Sequence, residues 1–550
     1  MNTPFRIALL CLLLAGAGLW NDALAKEEAK ADKYLQAVRV FADKVLRHGH
    51  DVYGPKQTPL FVDGLNVDTL EPGVWRCDGQ RWILSNQASQ QNLFRTLVGL
   101  SAATGDPKYR QAAADAIAYV FEHLQEPNGL LRWGGHTFYD ALGDRVVGEG
   151  KNPCHEFKHH YPYYELMWQV NPQATRRLIE GVWQGHVLRW DVLDFNRHSS
   201  YRKPVKGDLW ESEYVGGKVP FEGQGLTFMM SGTDLAYAAA MLSRFTADER
   251  PLVWAKRLAE RYMEARDPKT GLGPENFSVI GNPDRMQQQF PQFGGRFSEA
   301  TVTDLYGTRY TCCAICLLRL GEMLGPAGKE FLQWGLEDLT ARASHGYDQA
   351  THSFWAMLID GTKLSPADRK QGGYVTENWL EKRPVDSRHY LAYAIAYKLS
   401  KNETMWRMVR SIGQALGLGD LDATAGRPGS INRPTSNSDP LVLFGLLELH
   451  EATRDNTFLD AAKKVADNIL STRLCNGFFV ESKDHVFTRL DDPAPLALLH
   501  LRAAMLKLPE KPPAFWGGKG YFHGPYDGRG RTYDNEVIYR RLRGPNDIKK

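Results

Sequence analysis

The feature that most constrains the fold is a repeated pattern of two helices joined by a short polar turn. Thr104-Gly105-Asp106-Pro107-Lys108-Tyr109 opens the second helix of one pair, and Thr453-Arg454-Asp455-Asn456-Thr457-Phe458 opens the second helix of another. After Tyr109, apolar or small residues stand at positions 112, 113, 116, 117, 120, 121 and 124. This stripe, with a period of about 3.6 residues, is typical of an amphipathic helix and not of a strand.

Looser forms of the same turn lie near Thr246 to Pro251 and Ser400 to Thr404. The segment before each turn is apolar on all sides, which is typical of a buried helix. These inner helices are predicted over Asn92–Ala103, Leu235–Phe245, Leu391–Leu399 and Leu441–Thr453. Helix pairs recurring about every 50 to 70 residues indicate a solenoid or a closed ring. We predict an all-α (α/α) toroid of six or seven helix pairs, because loops that line a pocket favour the ring.

Three segments of the chain differ in composition. Residues 1–25 are predicted to be a secretory signal, with Arg6 before an apolar core from Ile7 to Leu19 and the small residues Ala23 and Ala25 at the cleavage site. Residues 26–510 are predicted to form the toroid. Residues 511–550 are rich in Gly, Pro, Tyr and Arg without a helical period, and predict an irregular C-terminal extension that either wraps the ring or is partly disordered.

The composition and charge of the chain limit its expected cellular compartment and the classes of partner that it could bind. The apolar run of the signal, from Ile7 to Leu19, is too short to span a bilayer. We therefore expect an exported protein, periplasmic or secreted, whose mature chain is not inserted in a membrane. The net charge of +3 and the lack of a long Lys/Arg run argue against nucleic acid as a partner. Cys312, Cys313 and Cys316 fall in an apolar run and are predicted to be buried helix residues.

Candidate functional residues cluster in three short polar motifs. These are Trp133-Gly134-Gly135-His136, Cys154-His155-Glu156-Phe157-Lys158-His159-His160 and Asn196-Arg197-His198-Ser199-Ser200-Tyr201. Two imidazoles and a carboxylate, from His136, Glu156 and His198, suit a divalent ion of the manganese-to-zinc range. Arg197 is next to a candidate ligand and could reach the same bound anion, which indicates an enzyme acting on an acidic substrate.

Pro162 decides where the second motif lies. Proline is disfavoured inside a helix but favoured at its first position, so an inner helix is predicted to begin near Pro162. His136 and Glu156 then lie in one connection from an outer to an inner helix. Arg197 and His198 lie in the next such connection, after an outer helix predicted over Ala174–Leu188. Successive connections of this kind emerge at one end of a toroid, so the four residues can meet at its mouth.

His155-Glu156-Phe157-Lys158-His159 also matches the H-E-x-x-H pattern of zinc peptidases. That chemistry requires both histidines on one face of a continuous helix, with the glutamate acting on a zinc-bound water. Pro162 and the turn that follows the motif argue against such a helix. A zinc peptidase is therefore a minor alternative.

The motifs resemble polysaccharide lyase family 2, the pectate lyases of the periplasmic and exopolygalacturonate lyase type. The resemblance rests on Gly134-Gly135-His136, the Glu156 loop, His160-Tyr161-Pro162-Tyr163-Tyr164-Glu165-Leu166 and Asn196-Arg197-His198, with a weaker echo from Gln289 to Ala300. It implies an (α/α) toroid in which His136, Glu156 and His198 bind a divalent metal, preferably manganese. Arg197 would be the base that removes the C5 proton of a galacturonate. The reaction implied is β-elimination on homogalacturonan, giving 4,5-unsaturated oligogalacturonides.

Further side chains near these motifs are candidates for binding neighbouring uronates of an acidic polysaccharide or oligogalacturonide. They are Tyr201, Arg202, Lys203, Lys206 and Arg296, and the fallback candidates for the base are Tyr201, His159 and His160. Two other functions fit a toroid. A glycoside hydrolase could use paired carboxylates such as Asp208, Glu211 or Glu213 without a metal. A carbohydrate-binding protein without catalysis could use the toroid as a scaffold only.

Overall fold

A computed structural model of the protein describes residue 28 and residues 30–148, 154–204, 207–280, 308–368, 380–518 and 520–544. Within these residues, α-helices alternate between an inner and an outer position. The inner helices are α2 (Gln91–Thr104), α4 (Tyr164–Val170), α6 (Met229–Thr246), α8 (Ala314–Leu324), α10 (Ser387–Ser400), α12 (Pro440–Thr453) and α14 (Ala494–Met505). The outer helices are α1 (30–48), α3 (Lys108–His123), α5 (Pro172–His186), α7 (Arg250–Glu264), α9 (Lys329–Ala341), α11 (Glu403–Ala415) and α13 (Asn456–Thr472).

The helix pairs close into a ring. Inner helix α10 packs against α8 and α12, and α14 packs against both α12 and α2. Outer helix α1 lies between α13 and α3, because Tyr34 donates a hydrogen bond to Asp467 at 2.7 Å and Tyr109 donates one to Asp43 at 2.9 Å. The first helix of the described chain is therefore the outer partner of the last. The predicted toroid is confirmed, with seven pairs in the described residues.

Four of the inner-to-outer turns share one geometry. The last hydroxyl residue of the inner helix bonds back to the carbonyl four residues earlier, and the next residue has a positive φ. An Asp or Asn side chain then accepts from the backbone amide two residues later, at the start of the outer helix. The hydroxyl residues are Thr104, Thr246, Ser400 and Thr453, and the acceptor residues are Asp106, Asp248, Asn402 and Asp455. Short side chains that bond to nearby backbone groups end one helix and start the next, which explains the repeat in the sequence.

The predicted helices are present, with shifted ends. Helix α6 begins at Met229, six residues before the predicted start, and α4 begins at Tyr164, two residues after Pro162. Helix α5 spans Pro172–His186 because Asn171 caps it by accepting from the backbone of Ala174 at 3.0 Å. Cys312, Cys313 and Cys316 are fully buried at the start of α8, as predicted.

Short strands lie in the loops between the helices, and the predicted all-helical pattern did not include them. The strands are β1 (His50–Asp51), β2 (Thr58–Phe61), β3 (Gly64–Asn66), β4 (Val74–Cys77), β5 (Gln80–Ser85), β6 (Thr137–Asp140), β7 (Arg145–Gly148), β8 (His155–Glu156), β9 (Val187–Arg189), β10 (Asp194–Phe195), β11 (His198–Ser199), β12 (Phe221–Gly223), β13 (Ser278–Ile280), β14 (Tyr347–Asp348), β15 (Ser353–Phe354), β16 (Arg383–Pro384), β17 (Gly419–Asp420), β18 (Ser430–Ile431), β19 (Leu474–Cys475), β20 (Phe478–Phe479), β21 (Phe487–Arg489), β22 (His523–Tyr526) and β23 (Gly530–Tyr533). The largest sheet has the order β4-β5-β6-β7 and is antiparallel, and β8 pairs with β11.

Part of the C-terminal segment, predicted to be irregular, is a regular hairpin of β22 and β23. Gly528 and Gly530 take positive φ values at its turn. Phe522, just before the hairpin, packs its ring edge-on against Trp75 at 4.9 Å and against Phe138 at 4.7 Å. This aromatic cluster fixes the hairpin against the four-stranded sheet.

The inner helices point their N-termini at one end of the ring. A cavity of about 590 Å³ there is lined by the starts of α2, α10, α12 and the loop before α14, including Asn92, Ser387, Asp439 and Asp491. The C-terminal segment borders this cavity with Phe515, Gly517, Gly518 and Gly520. This mouth is the end at which the outer-to-inner loops emerge.

Candidate metal site

His136, Glu156 and His198 meet at the mouth of the ring. Glu156 Oε2 lies 3.3 Å from His136 Nε2, and Glu156 Oε1 lies 3.4 Å from His198 Nε2. One ligand atom from each residue lies within 4.8 Å of the other two. Glu156 is fully buried and His136 nearly so, whereas His198 is partly open to solvent. The predicted convergence is therefore present, and its use as a metal site stays a prediction.

Backbone pairing of two loops sets this geometry. Strand β8 pairs with β11 so that Glu156 lies opposite His198 and His155 opposite Ser199. The amide of Phe157 then donates to the carbonyl of Arg197 at 3.1 Å, which extends the pairing by one residue. Side chains directly opposite each other on an antiparallel pair lie on the same face, so Glu156 and His198 meet.

The loop before β6 brings His136 to the same point. The Asn86 side chain donates to the carbonyl of Gly134 at 2.7 Å and accepts from its amide at 3.2 Å. Gly134 has a φ of +118°, which favours glycine. A Cβ on Gly135 would overlap Glu156 Oε2, so only glycine lets this loop approach the carboxylate so closely.

The donor set fits a divalent cation. His136 Nδ1 lies 3.1 Å from the carbonyl oxygen of His523, and a carbonyl only accepts, so Nδ1 carries the hydrogen. In a neutral His136 ring, the lone pair of Nε2 faces Glu156 Oε2, so that one hydrogen-bond acceptor lies against another. Both Glu156 oxygens and His198 Nε2 are buried without a hydrogen bond of normal geometry to a described residue. A cation between these atoms would satisfy them, and a backbone carbonyl behind a ligating imidazole is a usual supporting contact.

Two cationic side chains flank Glu156. Lys158 Nζ lies 3.5 Å and Arg197 Nε 3.6 Å from Glu156 Oε1. Burial alone would raise the pKa of Glu156, but Lys158, His136, His198 and Arg197 outweigh it and hold the pKa well below its usual value. Burial lowers the pKa of Lys158 to about 8, although Glu156 opposes the shift. Glu156 is therefore an anion inside a positively charged site.

A buried chain of hydrogen bonds supports the loops from behind. Trp133 Nε1 donates to His155 Nε2 at 2.8 Å, so neutral His155 carries its hydrogen on Nδ1 and donates to His186 Nε2 at 2.8 Å. His186 Nδ1 then donates to the carbonyl of Asn196 at 2.7 Å. Burial lowers the pKa of both imidazoles, that of His186 to about 4, so both rings are neutral near pH 7.

The zinc-peptidase alternative is wrong because the H-E-x-x-H segment does not form a helix. His155 and Glu156 form a strand rather than a helix, so their side chains point to opposite faces. His155 binds Trp133 and His186, and His159 has a φ of +42°, which a helix does not allow. The pattern H-E-x-x-H in this chain is an accident of a histidine-containing loop.

The other predicted site residues are placed as follows. Tyr201 is 6 % exposed, and its hydroxyl donates to the carbonyl of Trp133 at 3.3 Å. Its ring lies 4.1 Å from the Arg132 guanidinium, so Tyr201 packs behind the candidate metal site. Arg202 is exposed three residues beyond the end of β11. His159 and His160 are buried, and burial lowers the pKa of His160 to about 4. Lys206 and Arg296 lie outside the described residues, and their roles stay predictions.

The carboxylates considered for a hydrolase lie elsewhere. Asp208 and Glu211 both bind Arg250 at the start of outer helix α7, at 2.9 Å and 2.6 Å, and Glu213 is exposed nearby. Such exposed ion pairs are ordinary surface contacts. They do not form a facing pair of catalytic carboxylates.

Sequence reasoning missed two contributors to the site. Lys158 follows Glu156 by two residues, and in an extended segment that spacing places both side chains on one face, a signal that was available. His523 lies 387 positions from His136, and only the folded chain brings its carbonyl to the His136 ring.

These features define an (α/α)-toroid protein with a candidate cation centre in the loops at one mouth. The sequence matches the family model described as periplasmic pectate lyase over residues 58–525, so the chain belongs to that family and is a polysaccharide lyase. It is 32% identical over 553 residues to the pectate disaccharide-lyase of Dickeya dadantii (strain 3937), covering 95% of this chain and 98% of the relative. The resemblance inferred from the motifs is thereby confirmed, and the hydrolase and non-catalytic alternatives are set aside.

Several solved structures are similar to the chain at low identity. A D-mannose isomerase matches at 12% identity and a TM-score of 0.42, over 80% of this chain and 97% of its own. The cellobiose 2-epimerase of Bacillus thermoamylovorans B4167 matches at 11% identity and a TM-score of 0.41, over 71% and 90%. A family 76 glycoside hydrolase from a bovine Bacteroides thetaiotaomicron strain matches at 11% identity and a TM-score of 0.40, over 87% and 78%. These matches are too distant to bear on the chemistry.

The family description as periplasmic supports export of the protein. Residues 1–27, which include the predicted signal, lie outside the described residues. Among the residues that are described, no helix combines the length and apolar character needed to cross a membrane.

Proposed function

We propose that the protein is a metal-dependent pectate lyase that cleaves α-1,4-linked galacturonan by β-elimination and leaves 4,5-unsaturated oligogalacturonides. The observation that supports this most directly is the convergence of His136, Glu156 and His198 beside Arg197 and Lys158. The name of the Dickeya relative, a pectate disaccharide-lyase, supports a galacturonan substrate and makes release of disaccharides the product pattern to look for.

His136, Glu156 and His198 would hold the ion, with manganese favoured by the family resemblance. A divalent ion bound there supplies positive charge that neutralises the substrate carboxylate and stabilises the enolate-like charge that develops next to it. Lys158 and Arg197 add two positive charges against the single negative charge of Glu156. This excess of positive charge orients a uronate carboxylate into the site.

Arg197 is proposed as the base. It takes the C5 proton of the galacturonate at a guanidine nitrogen, the C5–H electron pair forms the C4=C5 double bond, the C4–O4 bond breaks, and the leaving O4 takes a proton from solvent water. A guanidinium is ordinarily protonated. Positive charge close by favours the neutral form of a basic group, and Arg197 is only 12% exposed with Lys158 beside the same carboxylate. The assignment therefore requires that the positive charges of Lys158 and of a bound divalent ion outweigh the Glu156 carboxylate, which lies 3.6 Å from Arg197 Nε.

The test is to incubate the mature protein with polygalacturonate, with and without EDTA, and to record the absorbance of the unsaturated uronide. A rise that EDTA abolishes and manganese restores supports the proposal. New reducing ends without that absorbance would mean hydrolysis instead. Chromatography of the products separates disaccharide release from random chain cleavage.

We further propose that export proceeds through cleavage after Ala25, with the mature protein in the periplasm or outside the cell. N-terminal sequencing of the exported protein tests this. A mature chain that still begins at Met1 would contradict it.

A further inference from the structure

The C-terminal hairpin contacts the candidate metal site through its backbone. His523 donates its amide hydrogen to the carbonyl of Gly135 at 2.7 Å and accepts from His136 Nδ1 at 3.1 Å. Trp75 Nε1 donates to the carbonyl of Pro525 at 3.0 Å, which holds the same strand two residues further along. The hairpin is therefore docked at a fixed position beside His136.

One face of this hairpin is turned to the site. His523 pairs with Tyr533 and Pro525 with Arg531, and directly paired residues share a face. The rings of His523 and Tyr533 stack at 4.2 Å, and the His523 ring lies 5.8 Å from that of His136. Arg531, two residues before Tyr533, is on this same face. Thr532, between them, is on the other face, where its hydroxyl bonds to Glu536 Oε2 at 2.5 Å.

The cations of the site and of the hairpin are neighbours. Lys158 Nζ lies 5.0 Å from the centre of the Tyr521 ring, and that ring meets Tyr533 edge-on at 5.0 Å. Arg531 lies two residues before Tyr533 on the same face and is exposed. It therefore lies on the side of the hairpin that faces the buried cations, with its side chain accessible to a ligand.

We propose that Arg531 binds the carboxylate of a uronate ring next to the one that is cleaved, so that the C-terminal hairpin forms part of the substrate site. The inference rests on the proposed function, since a galacturonan carries a carboxylate on every ring. A planar guanidinium suits this role because it can form two parallel hydrogen bonds to a carboxylate. Arg531 lies beyond residue 525, where the match to the family model ends.

The test compares Arg531→Ala, Arg531→Gln and Arg531→Lys with Arg529→Ala. Arg529 is exposed in the turn of the same hairpin and gives the same change in charge. For each variant, KM and kcat on polygalacturonate are measured at fixed ionic strength, together with manganese affinity by calorimetry and Tm. We expect Arg531→Ala and Arg531→Gln to raise KM about tenfold with kcat, manganese affinity and Tm unchanged. Arg531→Lys should lie between these variants and the wild type, and Arg529→Ala should match the wild type.

Equal KM values for Arg531→Ala and Arg529→Ala would overturn the inference while leaving the lyase activity in place. A lower manganese affinity or a lower Tm in Arg531→Gln would also overturn the inference, because the residue would then stabilise the fold rather than bind the substrate. A wild type that neither cleaves nor binds uronans would remove the proposed function, and this inference with it.

Discussion

Glu156 is a buried carboxylate that meets two imidazoles, an ammonium and a guanidinium. Burying a carboxylate is costly unless charge or hydrogen bonds compensate it, and here the compensation comes from positive groups. The two imidazoles and the two cations are suited to different tasks. Imidazoles whose Nε2 atoms face the carboxylate can hold a cation, whereas Lys158 and Arg197 attract an anion.

Substitution of His198 and of Arg197 should therefore separate metal binding from turnover. We expect His198→Ala to lower manganese affinity more than about 100-fold, since it removes a ligand outright. Arg197→Lys should keep manganese affinity but lower kcat by about 10² to 10⁴, the usual contribution of a positioned base. Calorimetry and turnover on polygalacturonate measure the two effects.

The matched control is His123→Ala, an exposed histidine at the end of outer helix α3, which should behave as the wild type. Normal turnover in Arg197→Ala would remove Arg197 from the mechanism. Full manganese affinity in His198→Ala would remove His198 from the metal site.

The residues of the site could be predicted because they lie in short polar motifs within the connections between strongly periodic helices. His136, Glu156, Arg197 and His198 were found in this way, and all four lie together. Their pairing as strands β8 and β11 could not be read from two-residue segments, which carry no periodicity. The sequence also could not show which way the Tyr201 side chain points. Tyr201 was expected to face the substrate, whereas its contacts with Arg132 and Trp133 bury it.

At the scale of elements, the turns were predictable and the C-terminal hairpin was not. The turns follow from local bonds, such as that of Thr453 to the carbonyl of Leu449, and from capping by Asp455 of the next helix. The hairpin depends on distant partners, since Phe522 packs on Trp75 and Phe138. A segment rich in Gly and Arg shows no helical period, but its order comes from tertiary contacts that sequence patterns do not reveal.

The hairpin should act on the metal site through its docking. Phe522→Ala removes the ring that packs between Trp75 and Phe138, at a cost of about 3 to 5 kcal/mol. The His523 carbonyl then no longer holds His136 in one orientation, and we expect manganese affinity to fall about 10- to 100-fold. Urea unfolding and calorimetry on the same preparations measure both effects.

Phe458→Ala is the matched control, because Phe458 is equally buried but lies on outer helix α13. It should lose similar stability and keep its manganese affinity. If the two variants bind manganese equally well, the hairpin does not position His136.

On the scale of the whole molecule, the two ends of the ring have different chemistry. The N-termini of the inner helices face the cavity and the metal site, whereas the C-terminal halves of α8, α10 and α12 are joined by a buried ion network. Glu448 binds Arg319 and lies 2.6 Å from Lys398 Nζ, and Lys398 also binds Glu322 at 2.5 Å. The network ties three inner helices together at the end away from the site.

This network predicts a pH dependence of stability. Burial alone would raise the pKa of Glu448, but Arg319 and Lys398 outweigh it and lower the pKa from an ordinary 4.5 to about 2. A depressed carboxyl pKa stabilises the fold above the unfolded value and loses that effect as pH falls, here from 4.5 towards 2. The shift corresponds to about 3 kcal/mol at neutral pH. Glu448→Gln should therefore be destabilised by about that amount at pH 7, and the difference from wild type should shrink in acid.

Urea unfolding of both proteins at pH 7 and near pH 3.5 measures the difference. Glu211→Gln is the control, because Glu211 is an exposed carboxylate outside this network that pairs with exposed Arg250. Its effect should stay within about 0.5 kcal/mol at either pH, as for other exposed ion pairs. A Glu448→Gln effect that is the same at both pH values would mean that the carboxylate keeps an ordinary pKa, and that packing of α8, α10 and α12, rather than charge, holds that end of the ring.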